Sequence, residues 1–211
     1  NSGKQGVQIE TDSEVDIKKL NKDLPVLQLI ADGKDLLHLA KPLLRADAEY
    51  ITFGEVRDGY AADLVLKAAR KGAHNVMFTY HITDVLNFCY QFADEIIDVK
   101  GGNLKYKICE IASNFDYIFE MAYLPGDKSK KRLKSVYEID YDRVTGEVIL
   151  SCLCKYDYLN DKWFWSNKIS SSKLDKGCYF DLNSVNIFKN LLDRLYNRCG
   201  FDGETYRLSY N

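Results

Sequence analysis

The sequence predicts an α/β fold with a mainly parallel sheet, followed by a strand-rich segment and a C-terminal helix. Three observations carry this prediction. A strand, a helix and a second strand follow one another between Tyr50 and Tyr80, the signature of a parallel unit with a right-handed crossover. After residue 100 the pattern changes to aromatic and β-branched runs separated by turn signals. An amphipathic pattern at helical spacing then runs from Asn183 to Arg198.

Taken in order, Val7-Gln8-Ile9 alternates like a short strand and runs into a cluster holding Glu10, Asp12, Glu14 and Asp16. From Asp35 to Arg45, Leu36, Leu37, Leu39, Ala40, Leu43 and Leu44 recur at helical spacing. Pro42 lacks a backbone donor and interrupts that pattern, so a kink or two short helices are expected. Tyr50-Ile51-Thr52-Phe53 reads as a buried strand ended by Gly54. Asp58-Gly59 breaks the chain, and Ala61, Leu64, Val65, Ala68 and Ala69 mark one helix face that Gly72 stops. Val76 to Tyr80 returns to strand. Further on, Tyr117–Met121 and Leu133–Ile139 read as strands joined by the turn Pro125-Gly126-Asp127-Lys128. Val148–Cys154 is another strand, entered through Thr145-Gly146. The closing helix is expected to bury Val185, Ile187, Phe188, Leu191, Leu192 and Leu195.

Composition narrows the function classes. The 211 residues are 28% charged and 46% hydrophobic, the balance of a globule with a real core. Lys plus Arg number 29 against 31 for Asp plus Glu, a net charge of -2. Near-neutrality argues against a nucleic-acid coat or a polybasic membrane anchor, and no direct nucleic-acid partner is expected. Apolar runs such as Val148-Ile149-Leu150 fall far short of the ~20 residues that span a bilayer. Residues 1–19 are polar and do not read as a signal peptide, so a cytoplasmic location is expected.

The six cysteines form no C-x-x-C pair and suggest neither a zinc site nor a disulfide framework. They read as reduced packing residues, with Cys152 and Cys154 sharing one face of a strand. The basic run Lys128–Lys134 sits in an expected hairpin turn and reads as solvated. Tyr156-Asp157-Tyr158 and Trp163-Phe164-Trp165 read as core or subunit contact.

The chemistry concentrates in Leu44-Arg45-Ala46-Asp47-Ala48-Glu49-Tyr50-Ile51-Thr52-Phe53-Gly54-Glu55-Val56-Arg57-Asp58. A hydrophobic strand ending in an acid is where P-loop ATPases hold the carboxylate that orients Mg²⁺ or the attacking water. The whole string resembles the Walker B region of the type II/IV secretion ATPases, L-R-x-D-x-[DE]-x-I-x-x-G-E-[IV]-R-D. Gly72-Ala73-His74-Asn75-Val76-Met77-Phe78-Thr79-Tyr80-His81 resembles the histidine box of that family, with one residue inserted after Gly72. Ile9-Glu10-Thr11-Asp12-Ser13-Glu14-Val15 is similar to its acidic box, with Thr11 where the family has Asp. Ile111–Ile118 and Lys131–Ile139 resemble its closing strands. The likeness covers residues 7 to 140, is strongest over 43 to 84, and is nearest the CpaF-like pilus-assembly, archaellum and conjugation branch.

The resemblance implies a RecA-like P-loop NTPase core. It divides the chain into a partial ATPase domain, residues 1–140, and a C-terminal strand and helix extension, residues 141–211, packed on it. Glu55, Glu14 and Glu10 would be the catalytic acids; His81, His74, Arg57 and Arg45 would sense or support phosphate. ATP would be the substrate and Mg²⁺ the cofactor, with Glu55 as its possible contact. Implied partners are further copies in a hexameric ring and an inner-membrane platform protein, which places the chain at the inner face of that membrane.

One departure stands against these agreements. The Walker A loop, G-x-x-x-x-G-K-[ST], whose amides cradle phosphates at a helix N-terminus, does not occur in the sequence. Ser2-Gly3-Lys4 spells its last letters, but Gln5 follows where Ser or Thr should ligate Mg²⁺. The chain is therefore expected to be the C-terminal part of a longer ATPase or a degenerate relative, and to bind nucleotide weakly by itself. The rival reading is a non-catalytic assembly module that keeps the RecA-like fold. The motif order requires the side chains of Glu55 and His81 to converge at one edge of the parallel sheet, with Glu10 or Glu14 nearby. Ligands gather there because the carboxyl ends of parallel strands open into one crevice.

Overall fold

The structure, a computed structural model, describes residues 5–11, 23, 25–43, 48–71 and 75–210. The chain forms two compact units, one running to Asn114 and the other beginning at Phe115.

The first unit is built on four parallel strands in the order β2-β1-β3-β4. These are β1 (Gly6–Glu10), β2 (Val26–Ile30), β3 (Tyr50–Val56) and β4 (Val76–Tyr80). Among the described residues four α-helices accompany them: α1 (Leu36–Leu43), α2 (Gly59–Arg70), α3 (Phe88–Lys100) and α4 (Leu104–Asn114). Parallel strands are joined by crossovers that lay helices on the sheet, and the buried faces show this arrangement. Val7, Ile9, Ile51, Phe53 and Val56 are buried on the strands, and Ala62, Val65, Leu66, Phe92, Ile96 and Ile111 on the helices. Phe78 and Tyr80, two apart on β4, both meet the ring of Phe92, at centroid distances of 5.3 and 5.4 Å.

Asp58 caps α2, its Oδ1 accepting from the Ala61 amide at 2.8 Å. Buried acids on the helices are paired: Asp63 with Lys67 at 2.6 Å, and Glu110 with Arg70 and Lys107, both at 2.6 Å.

The second unit is an antiparallel sheet ordered β5-β6-β7-β8, with β9 also pairing β7. Its strands are β5 (Tyr117–Leu124), β6 (Asp127–Asp142), β7 (Glu147–Asp157), β8 (Lys162–Trp165) and β9 (Thr205–Leu208). One edge of β7 is shared, Ser151 and its predecessors pairing β9 and Cys154–Asp157 pairing β8. Trp163, Trp165, Tyr117, Leu133 and Ile169 pack on Val136, Leu153 and Cys154. The Trp163 indole donates to the Leu133 carbonyl at 2.8 Å, which satisfies its one polar group. The helix α5 (Ser171–Cys199) follows β8. Its start is held by Asp116, which pairs with Lys173 at 2.8 Å and Lys176 at 2.7 Å.

Several expectations change against the structure. The stretches that resemble the closing strands of the family lie in the antiparallel sheet, where β5 pairs β6 and Ser135–Asp142 of β6 pair β7. By packing, the chain divides after Asn114. Ile111–Asn114, quoted in the same motif, belongs to α4. Gly54 does not end β3, which runs on to Val56 through a bulge. Pro42 lies within the eight-residue α1, and the end of the expected stretch, Leu44 and Arg45, lies outside the described residues. The basic run lies on β6 itself, with Lys130 paired to Asp127 and Lys134 to Glu120.

Cys152 and Cys154 do not share a face. A bulge at Leu153 sets them opposite Tyr137 and Val136, neighbours that point to opposite sides of the sheet. All six cysteines are free, and burial pushes the Cys89 and Cys154 thiols up to about 12. The last helix starts at Ser171 and breaks at Asp181, whose side chain caps the second half by accepting from the Asn183 and Ser184 amides. Of the face expected inside, Leu192 is buried, whereas Ile187 is 60% exposed and Leu191 49%. Spacing marks an apolar stripe, but only a packing partner buries it.

Two measurements check this packing. Phe92→Ala removes a fully buried ring that three other rings touch and should cost about 3–5 kcal/mol in urea unfolding. Burial opposes charge on Asp116, but Lys173 and Lys176 outweigh it and hold the carboxyl below the usual carboxylate range. A lowered folded pKa stabilises above the unfolded value of about 3.9 and loses that contribution as pH falls through the folded value. Asp116→Asn should therefore destabilise at pH 7 and have a smaller effect at pH 2–3, read from unfolding curves at both pH values.

Candidate functional site

Because β1, β3 and β4 are parallel neighbours, their carboxyl ends lie at one edge of the sheet. Glu10 ends β1, Glu55 sits one residue before the end of β3, and His81 directly follows β4.

Local backbone decides where Glu55 points. Phe53 pairs Phe78 and Val56 pairs Tyr80, so three steps on β3 match two on β4. The extra residue is a β-bulge at Gly54-Glu55. Phe78 and Tyr80 share a face, so Phe53 and Val56 do too, and both are 2% exposed. In a regular strand Glu55 would take the buried place beside Phe53. The bulge hands that place to Val56 and turns Glu55 out of it. The Thr79 hydroxyl donates to the Gly54 carbonyl within this irregular stretch. Gly54 also lies close to Glu10: a Cβ there would stand 3.3 Å from Glu10 Cγ.

The turned-out carboxylate is held on both oxygens. Arg57 Nε donates to Glu55 Oε2, and His81 Nε2 lies 2.9 Å from Oε1. A doubly protonated imidazole makes the second contact an ion pair; a neutral one keeps a hydrogen bond. The Glu55 side chain is 18% exposed and that of His81 94%, so the imidazole stands at the rim.

Glu10, the first acid of the acidic-box-like string, is buried within β1, accepting from Gln8 Nε2 at 2.5 Å and from Gln28 Nε2 at 2.8 Å. Among the described residues these two amides satisfy it, while Gln8 Oε1 is itself buried without a hydrogen-bond partner.

The structure therefore brings Glu55, Arg57 and His81 together, with Glu10 beside Gly54 on the neighbouring strand. Glu14, Arg45 and His74 lie outside the described residues, as do Ser2, Gly3 and Lys4. At the same edge a cavity of about 380 Å³ is lined by Thr11, Asp32, Gly33, Lys34, Asp35, Arg57 and Asp58. Sequence reasoning missed its β2 side. The signal was available: the run Val26–Ile30 followed by Asp32-Gly33 has the form of a strand and a turn.

No family model matches the chain, and no curated protein matches it. Among solved structures it matches the VirB11 ATPase of the Brucella suis type IV secretion system in complex with sulphate. The TM-score is 0.56 at 16% identity, over 65% of this chain and 41% of that one. Over that part, the fold of this chain is similar to that of the VirB11 ATPase. The Legionella pneumophila ATPase DotB also matches, with a TM-score of 0.49 and 15% identity over 67% of this chain and 38% of its own. The chain thus spans about two fifths of the length of the solved structures it matches. In this chain the described parts of the Walker-B-like and histidine-box-like strings include the adjacent parallel strands β3 and β4. Among the described residues no helix is long and apolar enough to cross a membrane.

Two substitutions separate the acids energetically. Glu55→Gln should change stability by less than about 1 kcal/mol, since its partners are exposed. Glu10→Ala should cost about 1–3 kcal/mol, because the buried Gln8 amide loses its acceptor. Chemical denaturation of both variants reads the difference.

Proposed function

We propose that the chain is the C-terminal catalytic-domain portion of a secretion, pilus-assembly or conjugation motor ATPase that couples ATP hydrolysis to assembly or transport. The contact of Glu55 with His81 and Arg57 across the carboxyl ends of β3 and β4 carries this reading. The fold shared with the VirB11 ATPase supports it.

In this reading Glu55 polarises the attacking water as a carboxylate at the end of a hydrophobic strand. His81, at the rim, hydrogen-bonds the terminal phosphate and reports its presence to Glu55 through their contact. Arg57 fixes the second carboxylate oxygen and adds positive charge to the site. Glu10 is the buried acid of the acidic box, while Glu14, His74 and Arg45 keep the supporting roles that the resemblance implies.

The residues present fit Mg²⁺. Glu55 offers hard oxygen donors, and this ion is usually held by one or two carboxylates and substrate phosphates rather than an all-protein cage. Glu55 would hold the ion, which would supply positive charge to offset that of the phosphate oxygens. The proposed partners are copies of the same protein in a ring and a platform protein on the cytoplasmic face of the inner membrane.

The test is turnover. The 211-residue chain should release phosphate from ATP no faster than background, because its sequence holds no Walker A loop and phosphoryl transfer depends on that positioning. In a longer chain carrying such a loop ahead of these residues, Glu55→Gln should lower the rate by on the order of 10²-fold or more. An unchanged rate in that variant would overturn the assignment of Glu55. A longer chain that carries the loop and does not hydrolyse ATP would favour the non-catalytic assembly module.

A further inference from the structure

Glu95, on α3, touches both chain segments that carry the Glu55–His81 contact. Its Oε1 accepts a hydrogen bond from the Tyr80 hydroxyl at 2.8 Å. Tyr80 is the last residue of β4, pairs with Val56 across the bulge, and immediately precedes His81. Its ring is fixed edge-to-face against Phe92 and Phe88, at centroid distances of 5.4 and 6.2 Å. Burial, then the Glu95 carboxylate, push the Tyr80 hydroxyl above its ordinary pKa, so it stays a donor at neutral pH.

The second contact is backbone to backbone. Gly59 opens α2, four residues after Glu55, and a Cβ there would lie 1.9 Å from the Glu95 carbonyl oxygen. Only glycine lets the start of α2 approach α3 this closely. The stretch Val56–Asp58 is thus anchored at one end by Tyr80 through the β3–β4 pairing, and at the other by Gly59. The first anchor rests on the Glu95 side chain, and the second faces the backbone carbonyl of the same residue.

The other Glu95 oxygen, Oε2, is buried and has no hydrogen-bond partner among the described residues. An unsatisfied buried carboxylate oxygen is costly, and the hydrogen bond from Tyr80 to the other oxygen of this half-buried side chain offsets only part of that cost. The position therefore has a use besides packing.

We propose that Glu95 is a positioning residue for the Glu55–His81 pair, holding the end of β4 through Tyr80 and the start of α2 at Gly59. The inference rests on reading Glu55 and His81 as one functional pair, but its test reads geometry and needs no turnover.

The test is NMR of the full chain, following cross-peaks between the His81 ring protons and the Glu55 side chain, with His81→Gln used for assignment. Tyr80→Phe and Glu95→Ala should lose these cross-peaks in proteins that otherwise keep dispersed amide spectra. Glu95→Gln should keep them, because its amide oxygen still accepts from Tyr80. Asp94→Asn, an exposed neighbour on the same helix, should also keep them. If Glu95→Ala fails to fold, Tyr80→Phe alone decides. Cross-peaks retained in a folded Tyr80→Phe protein, or lost as fully in Glu95→Gln as in Tyr80→Phe, would overturn the proposal. Loss of the cross-peaks alongside an unchanged rate for Glu55→Gln in a longer, active chain would leave the positioning role standing and sink the catalytic one.

Discussion

The arrangement at the sheet edge depends on one backbone irregularity, the bulge at Gly54-Glu55. A strand alternates strictly, so an acid two residues after the buried Phe53 would enter the apolar layer beneath the helices. An unpaired carboxylate there would be costly to desolvate. One extra residue resolves the conflict: Val56 fills the core position, Glu55 leaves it, and the strand still ends in register with Tyr80. Glycine suits this point, since the backbone approaches Glu10 closely and its carbonyl is met by Thr79. Core packing and chemistry are served by adjacent residues because the bulge separates them.

The polar groups around the edge fall into two kinds. Glu10 is satisfied internally by Gln8 and Gln28, so it belongs to the frame of the sheet as much as to any site. Glu55 is satisfied by groups that reach solvent, and exposed partners exchange readily with water or with a ligand. That contrast leaves Glu55, not Glu10, as the acid whose partners can exchange with solvent.

The second unit has a core of its own, made by alternation on both sides of β7 and by the tryptophans of β8. Its bulge at Leu153 parallels the one at Gly54 in effect: a single inserted residue reverses the facing of Cys152 relative to Cys154. In both sheets the residue counts in the sequence are regular, and only the pairing reveals the slip.

The sequence by itself determined the element types wherever periodicity was strong: β3, α2 and β4, the β5–β6 hairpin, β7 and the second half of α5. It also determined the chemical strings around Glu55 and His81, because residue identity and spacing are local properties. Gly54 was legible as an irregularity, yet a glycine in a strand signals either an end or a bulge, and only the partner strand distinguishes them. The strand β2 was legible in Val26–Ile30 followed by Asp32-Gly33, whereas β9, α3 and α4 lacked a distinctive local pattern. Their existence is decided by what they pack against. Tertiary structure alone decided that residues 117–139 join the second sheet, that Ile187 and Leu191 stay exposed, and that Glu95 meets both Tyr80 and Gly59. The reason is physical: pairing and burial are relations between segments far apart in the chain, and local spacing fixes what a residue can do but not which neighbour it meets.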